Sequence, residues 1–128
     1  WGLCFKEDQV RLAPLYDHGS SLGWNLNEDR VRKIMSNNRM FEAFINRGMS
    51  LIRLEEGHKI NHFNLITGIK NREDMGLRTA TKTISALNKD SVWNIIKLMP
   101  DDIMSDLRKE FVFRLLLKRK ACIERLVN

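Results

Sequence analysis

The chain has only two cysteines in 128 residues, Cys4 and Cys122, at opposite ends of the sequence. They form no Cys-x-x-Cys unit, which excludes a zinc knuckle and a thioredoxin-type redox pair and leaves buried, reduced thiols as the expected state. No apolar run reaches the length of a membrane span, and no secretory leader with a charged start and a small-residue cleavage site is recognisable. A cytoplasmic protein with no membrane partner is expected. His58 and His62 are four residues apart, but Gly57 beside them signals a turn and no third ligand follows at metal-site spacing, so a zinc site is not expected. Also missing are a glycine-rich phosphate loop, a lysine in a Val-Ala-x-Lys context, a His-Arg-Asp run and an Asp-x-x-x-x-Asn run. No catalytic residue is therefore assigned within these residues. No internal repeat or low-complexity linker divides the chain, and residues 1–128 are read as a single domain.

What is present suits such a domain. Hydrophobic residues make up 43% and charged residues 30%, enough to bury a core and solvate a surface. The net charge of +6 would favour polyanions, yet the 22 basic and 16 acidic residues are interspersed. Solvated helix faces account for most of that excess.

Apolar periodicity changes along the chain. Gly2 to Lys6 and Val10 to Ala13 are extended-favouring runs around the polar Glu7-Asp8-Gln9, which predicts a short hairpin. From Asn27 the period is helical. Asn27 is placed to cap a helix opening on Glu28-Asp29 and burying Val31, Ile34 and Met35, with a break at Ser36-Asn37. A second helix carries Met40, Phe41, Phe44 and Ile45, with Gly48 as its carboxy-terminal stop. Ser50 to Leu54 and His58 to His62 are read as a small hairpin, followed by a short helix through Leu65, Ile66 and Ile69. Leu77, Ala80, Thr81, Ile84 and Leu87 then recur at helical spacing. Asp90 or Ser91 is expected to cap a helix whose buried edge is Val92, Ile95, Ile96 and Met99, ended by Pro100. A final helix, beginning between Asp101 and Ser105, bears Leu107, Phe111, Val112, Leu115, Leu116, Cys122, Ile123, Leu126 and Val127 on one broad face. Phe113 and Leu117 fall nearly opposite, which implies a helix buried on two sides or an apolar spot that meets a partner. The predicted fold class is mainly α with a short amino-terminal β-hairpin.

The stretch with the most chemical content is Leu12-Ala13-Pro14-Leu15-Tyr16-Asp17-His18-Gly19-Ser20-Ser21-Leu22-Gly23. It sets a carboxylate where a strand runs into a Gly-Ser loop. Pro14 stiffens the approach to Asp17, and Gly19 and Gly23 permit tight turns after it. Magnesium takes one or two carboxylates while keeping several waters, so a single Asp on such a bend can serve a partial shell. The same residue can instead close an exposed turn by bonding the next backbone amides.

Leu12, Pro14, Tyr16, Asp17, Ser21, Leu22 and Trp24 together resemble the metal-binding junction of HipA-like serine/threonine protein kinases. The resemblance is specific in the first quarter of the chain. Elsewhere it is general, with Arg108-Lys109-Glu110-Phe111 opening a terminal apolar helix. It implies a helical, kinase-like carboxy-terminal lobe, with Asp17 as a magnesium ligand in a complete enzyme that moves the ATP γ-phosphate to a Ser or Thr hydroxyl. His18 departs from the Asn common at that place. With the catalytic loop and nucleotide-binding lobe outside these residues, the fragment is expected to be inactive alone and to hold no magnesium or ATP. The loop from His18 to Trp24 is then expected to be mobile or rearranged relative to an intact kinase. The implied partners are the missing amino-terminal lobe and an antitoxin-like protein.

The alternative is a basic helical module that binds a protein or nucleic acid without catalysis. Arg114, Lys118, Arg119 and Lys120 could touch phosphates, but no aromatic platform is interleaved with them and no helix-turn-helix is recognisable. A solvated basic edge is the expected reading of that cluster.

Overall fold

The computed structural model describes residues 3–6, 9–12, 21–50, 58–72 and 74–127. Strands β1 (Leu3–Lys6) and β2 (Gln9–Leu12) pair antiparallel with Leu3 opposite Leu12 and Lys6 opposite Gln9. The predicted hairpin is therefore present. Gln9 belongs to its second strand rather than to the connection, and Gly2 and Ala13 lie outside the described residues. Helices follow: α1 (Glu28–Met35), α2 (Asn38–Asn46), α3 (His62–Arg72), α4 (Asp74–Ser85), α5 (Lys89–Ile96) and α6 (Asp106–Val127). The fold is mainly helical, as the change of periodicity at Asn27 predicts.

Asparagine starts most of these helices. The side chains of Asn27, Asn37, Asn61 and Asn88 accept the backbone N–H of Arg30, Met40, Asn64 and Ser91, respectively, at 2.7–3.1 Å. Each such cap satisfies an amide that the helix itself leaves open and is worth about 1 kcal/mol. Asn88, not Asp90 or Ser91, caps α5, because its extended backbone lets the side chain reach the third amide beyond it. Ser105 does the same for α6, its Oγ accepting from Arg108 N at 3.2 Å.

α2 stops just before Gly48, as expected, but not through a glycine cap: Arg47 is the capping residue, and Gly48 does not adopt a left-handed backbone. Its lack of a side chain serves packing instead: a Cβ there would come within 3.0 Å of His62 Nδ1, and Gly48 O accepts from His62 N at 3.0 Å. This close approach, with an antiparallel bridge between Met49 and Asn61, is the described remnant of the expected second hairpin. Residues 51–57 of that prediction lie outside the described residues, and His62 already belongs to α3.

The 22-residue α6 is the centre of the molecule, with α1, α2, α3, α4 and α5 all packed against it. Phe111, fully buried, meets the Phe44 ring at 5.5 Å and Phe41 edge-on at 6.2 Å. Val31, Ile34, Ile45, Val92, Ile96, Val112 and Leu115 complete the core. Phe113, on the other side of α6, stacks on Trp93 of α5 with centroids 5.1 Å apart. α6 is thus buried on two sides, the first of the readings that its apolar residues allow. Ile95 and Met99 do not join the core and stand exposed, since α5 is too short to turn more than Val92 and Ile96 inward. Cys122 is a buried free thiol.

Candidate functional site

Asp17 and its neighbours from Ala13 to Ser20 lie outside the described residues, but the end of the loop that follows is described. It is held as a tight turn, with Trp24 N bonded to Ser21 O at 3.1 Å and Leu26 N to Gly23 O at 3.0 Å. Leu22 and Gly23 both adopt left-handed backbone, at φ 55° and 79°. Such a conformation is costly for leucine and easy for glycine. Gly23 is required on a second count, because a Cβ would meet Phe111 Cε1 at 3.0 Å.

Arg108, from the first turn of α6, fastens this turn. Its guanidinium donates to Gly23 O at 3.3 Å and to Leu26 O, and its Nε donates to Glu28 Oε1 at 3.2 Å. Ser105 Oγ donates to the other Glu28 oxygen at 3.0 Å. One arginine thereby joins the end of the Asp17 loop, the start of α1 and the start of α6. Bonds to a charged group contribute about 1.5–3 kcal/mol, more than neutral ones, and the planar fork loses little freedom in making several at once. The described end of the loop, residues 21–26, is held by ordering contacts from α6. No periodicity argument exposes this clamp. Its only sequence trace is Arg108-Lys109-Glu110, charges at the mouth of an apolar helix. The next of them, Lys109, is buried and reaches out to the exposed Asp101 carboxylate.

Both Glu28 oxygens are engaged in the clamp, one by Arg108 and the other by Ser105. Among the described residues, no group of three His, Cys, Asp or Glu comes together.

The basic cluster of α6 is not a solvated edge. The Arg114 guanidinium lies 5.0 Å from the centroid of the Phe41 ring, and Lys118 pairs with Glu42 at 2.6 Å. Lys120 donates to the carbonyls of Ser85 and Leu87 at the end of α4, where a cation also suits the helix dipole. Arg119 is half-buried, and desolvation pushes its guanidinium below the ordinary arginine range. Because α6 is central, even its charged side chains face neighbouring helices. They are occupied within the fold and offer phosphates little.

No protein-family model, curated protein or solved structure matches the chain. Among the described residues, no helix is long and apolar enough to cross a membrane.

Proposed function

We propose that this chain is the helical carboxy-terminal part of a HipA-like serine/threonine protein kinase, in which Asp17 is a magnesium ligand. The observation that carries the reading is the run from Leu12 to Trp24, with proline, aromatic and aspartate in the order of that family's metal-binding junction. Support comes from the flanks of Asp17. β2 ends at Leu12 and the clamped turn begins at Ser21, so regular structure flanks Asp17 in sequence on both sides. When bound, ATP would supply the phosphoryl group and magnesium would neutralise the charge on its phosphates. The role of this chain's own residues is to present one carboxylate, with Arg108 holding the turn at Gly23 that follows it in sequence. The base, the phosphate cradle and a second metal ligand have no counterpart among the 128 residues and belong, on this reading, to a catalytic half supplied elsewhere. A cytoplasmic location and an antitoxin-like partner are part of the same reading.

The test is a kinase assay on the full protein containing this chain. The isolated chain should not transfer phosphate, and Asp17→Ala in the complete protein should abolish transfer while leaving its circular dichroism unchanged. Transfer at the wild-type rate in that variant would remove Asp17 from the mechanism. An Asp-x-x-x-x-Asn catalytic loop encoded just before Trp1 would strengthen the reading.

A second reading, a basic helical module that binds a protein without catalysis, is favoured by one surface. Ile95, Leu98 and Ile103 are 68%, 77% and 67% exposed on and just beyond α5. A start codon directly before Trp1 would favour it.

A further inference from the structure

α1 and α2 are joined by the Ser36–Asn37 turn and pack on each other, and a cleft of about 390 Å³ is lined by both. Its walls are two matching stripes. α1 contributes Arg30 and Ile34, one turn apart, and α2 contributes Met40, Ala43 and Phe44, continued one turn on by Arg47. Ile34 and Met40 lie close in sequence to the connecting turn. Arg30, in the first turn of α1, and Arg47, the residue that caps α2, are both exposed and line the rim of the cleft. The cleft therefore has an apolar floor and a doubly cationic mouth.

The arginines are not accounted for by the fold. Among the described residues neither guanidinium has a carboxylate partner, and no acidic side chain lines the cleft. Arg47 at a helix carboxy terminus is favoured by the helix dipole. Arg30 is not: it sits in the first turn, where the dipole disfavours a cation. Glu28, close by in sequence, is already held by Arg108 and Ser105. An uncompensated positive mouth above a floor of methionine and phenylalanine matches an acidic, amphipathic segment, its carboxylates on the arginines and its apolar side chains on Met40 and Phe44.

We propose that the α1–α2 cleft binds an acidic amphipathic peptide segment of a partner protein, with Arg30 and Arg47 recognising its carboxylates. Charge complementarity identifies the occupant, and the net charge of +6 draws it in at long range. This inference does not depend on Asp17 or on phosphoryl transfer.

The probe is a panel of short fluorescein-labelled peptides, each with two glutamates one turn from two leucines, titrated against the full chain by anisotropy. Members of the panel should bind saturably. Arg30→Ala and Arg47→Ala should each weaken binding about tenfold. Ala43→Trp, which fills the floor, should remove it, and the two exposed arginine variants should keep the wild-type circular dichroism. The proposal is overturned if no member of the panel binds, or if peptides with lysine in place of glutamate bind equally well. Displacement of the peptide by inorganic phosphate alone at similar concentration would reduce the cleft to an adventitious anion site. Duplex RNA bound more tightly than any peptide, and lost in the same arginine variants, would replace a peptide by nucleic acid and overturn it too.

Discussion

The α1–α2 pair and the α4–α5 pair both lean on α6, but with different commitment. The first turns Val31, Ile34, Phe41 and Ile45 almost wholly inward and is tied to the start of α6 through Glu28, Ser105 and Arg108. The second buries Val92, Ile96 and Thr81 and leaves Leu87, Ile95 and Leu98 in solvent, with Lys120 tying α6 to the last carbonyls of α4. Apolar burial stabilises by about 25 cal/mol per Å², so stability is concentrated on the α1–α2 side. The α4–α5 side should open first, and amide exchange there should be faster.

The largest break in this asymmetry is Phe111→Ala. Phe111 is fully buried and touches rings on α2 together with the turn at Gly23, so its removal leaves a cavity beneath the most committed side. A loss of about 4 kcal/mol is expected, seen as a sharp fall in the urea midpoint or a chain already unfolded without denaturant. A loss below about 1 kcal/mol would mean that the core is not centred on this ring. Next in size is Arg108→Met, which keeps the aliphatic stem and removes the fork. It should cost about 2 kcal/mol and, by releasing Gly23 and Leu26, increase exchange at residues 21–27 more than in α4 or α5. Equal loss of protection on both sides would show that Arg108 supports the fold generally rather than the turn.

Where apolar spacing and burial coincide, the sequence is readable. Val31 and Ile34 lie one turn apart behind an Asn cap, and the helix that this implies is the helix observed, to the residue at which it breaks. α6 reads correctly as well, because a long apolar helix with residues on opposite faces has to be covered on both. The α4–α5 region misleads for the converse reason. Leu87, Ile95 and Met99 have the right spacing, but only a neighbouring surface makes spacing into burial, and the described residues cover them only in part. Gly48 misleads in a different way: glycine after a helix suggests a left-handed stop, while here it makes room for His62 from distant sequence. The Arg108 clamp is a contact between residues some 80 positions apart, with |i−j| of 80 to Glu28 and 85 to Gly23, and no local pattern encodes it. For the candidate site, the sequence supplies Asp17 as a chemical suggestion, and the fold adds the fixed turn downstream of it. The α1–α2 cleft was half legible. Both helices follow from the sequence, but the convergence of Arg30 and Arg47 depends on how they pair.

The smallest expected effect sharpens the comparison from its weak side. Ile95→Gln and Leu98→Gln replace residues that are mostly solvated on and just beyond α5, so neither removes an apolar contact that the fold relies on. Each should change stability by less than about 0.5 kcal/mol, within the range of ordinary surface substitutions. Their effect should appear in association instead, because exposed apolar side chains grouped on and just beyond a helix promote contact between copies or with a partner. Sedimentation of the double variant should show less concentration-dependent association than wild type, at an unchanged melting temperature. A melting temperature lowered by several degrees would place these side chains in contacts that stabilise the chain, and the two sides of α6 would then be alike.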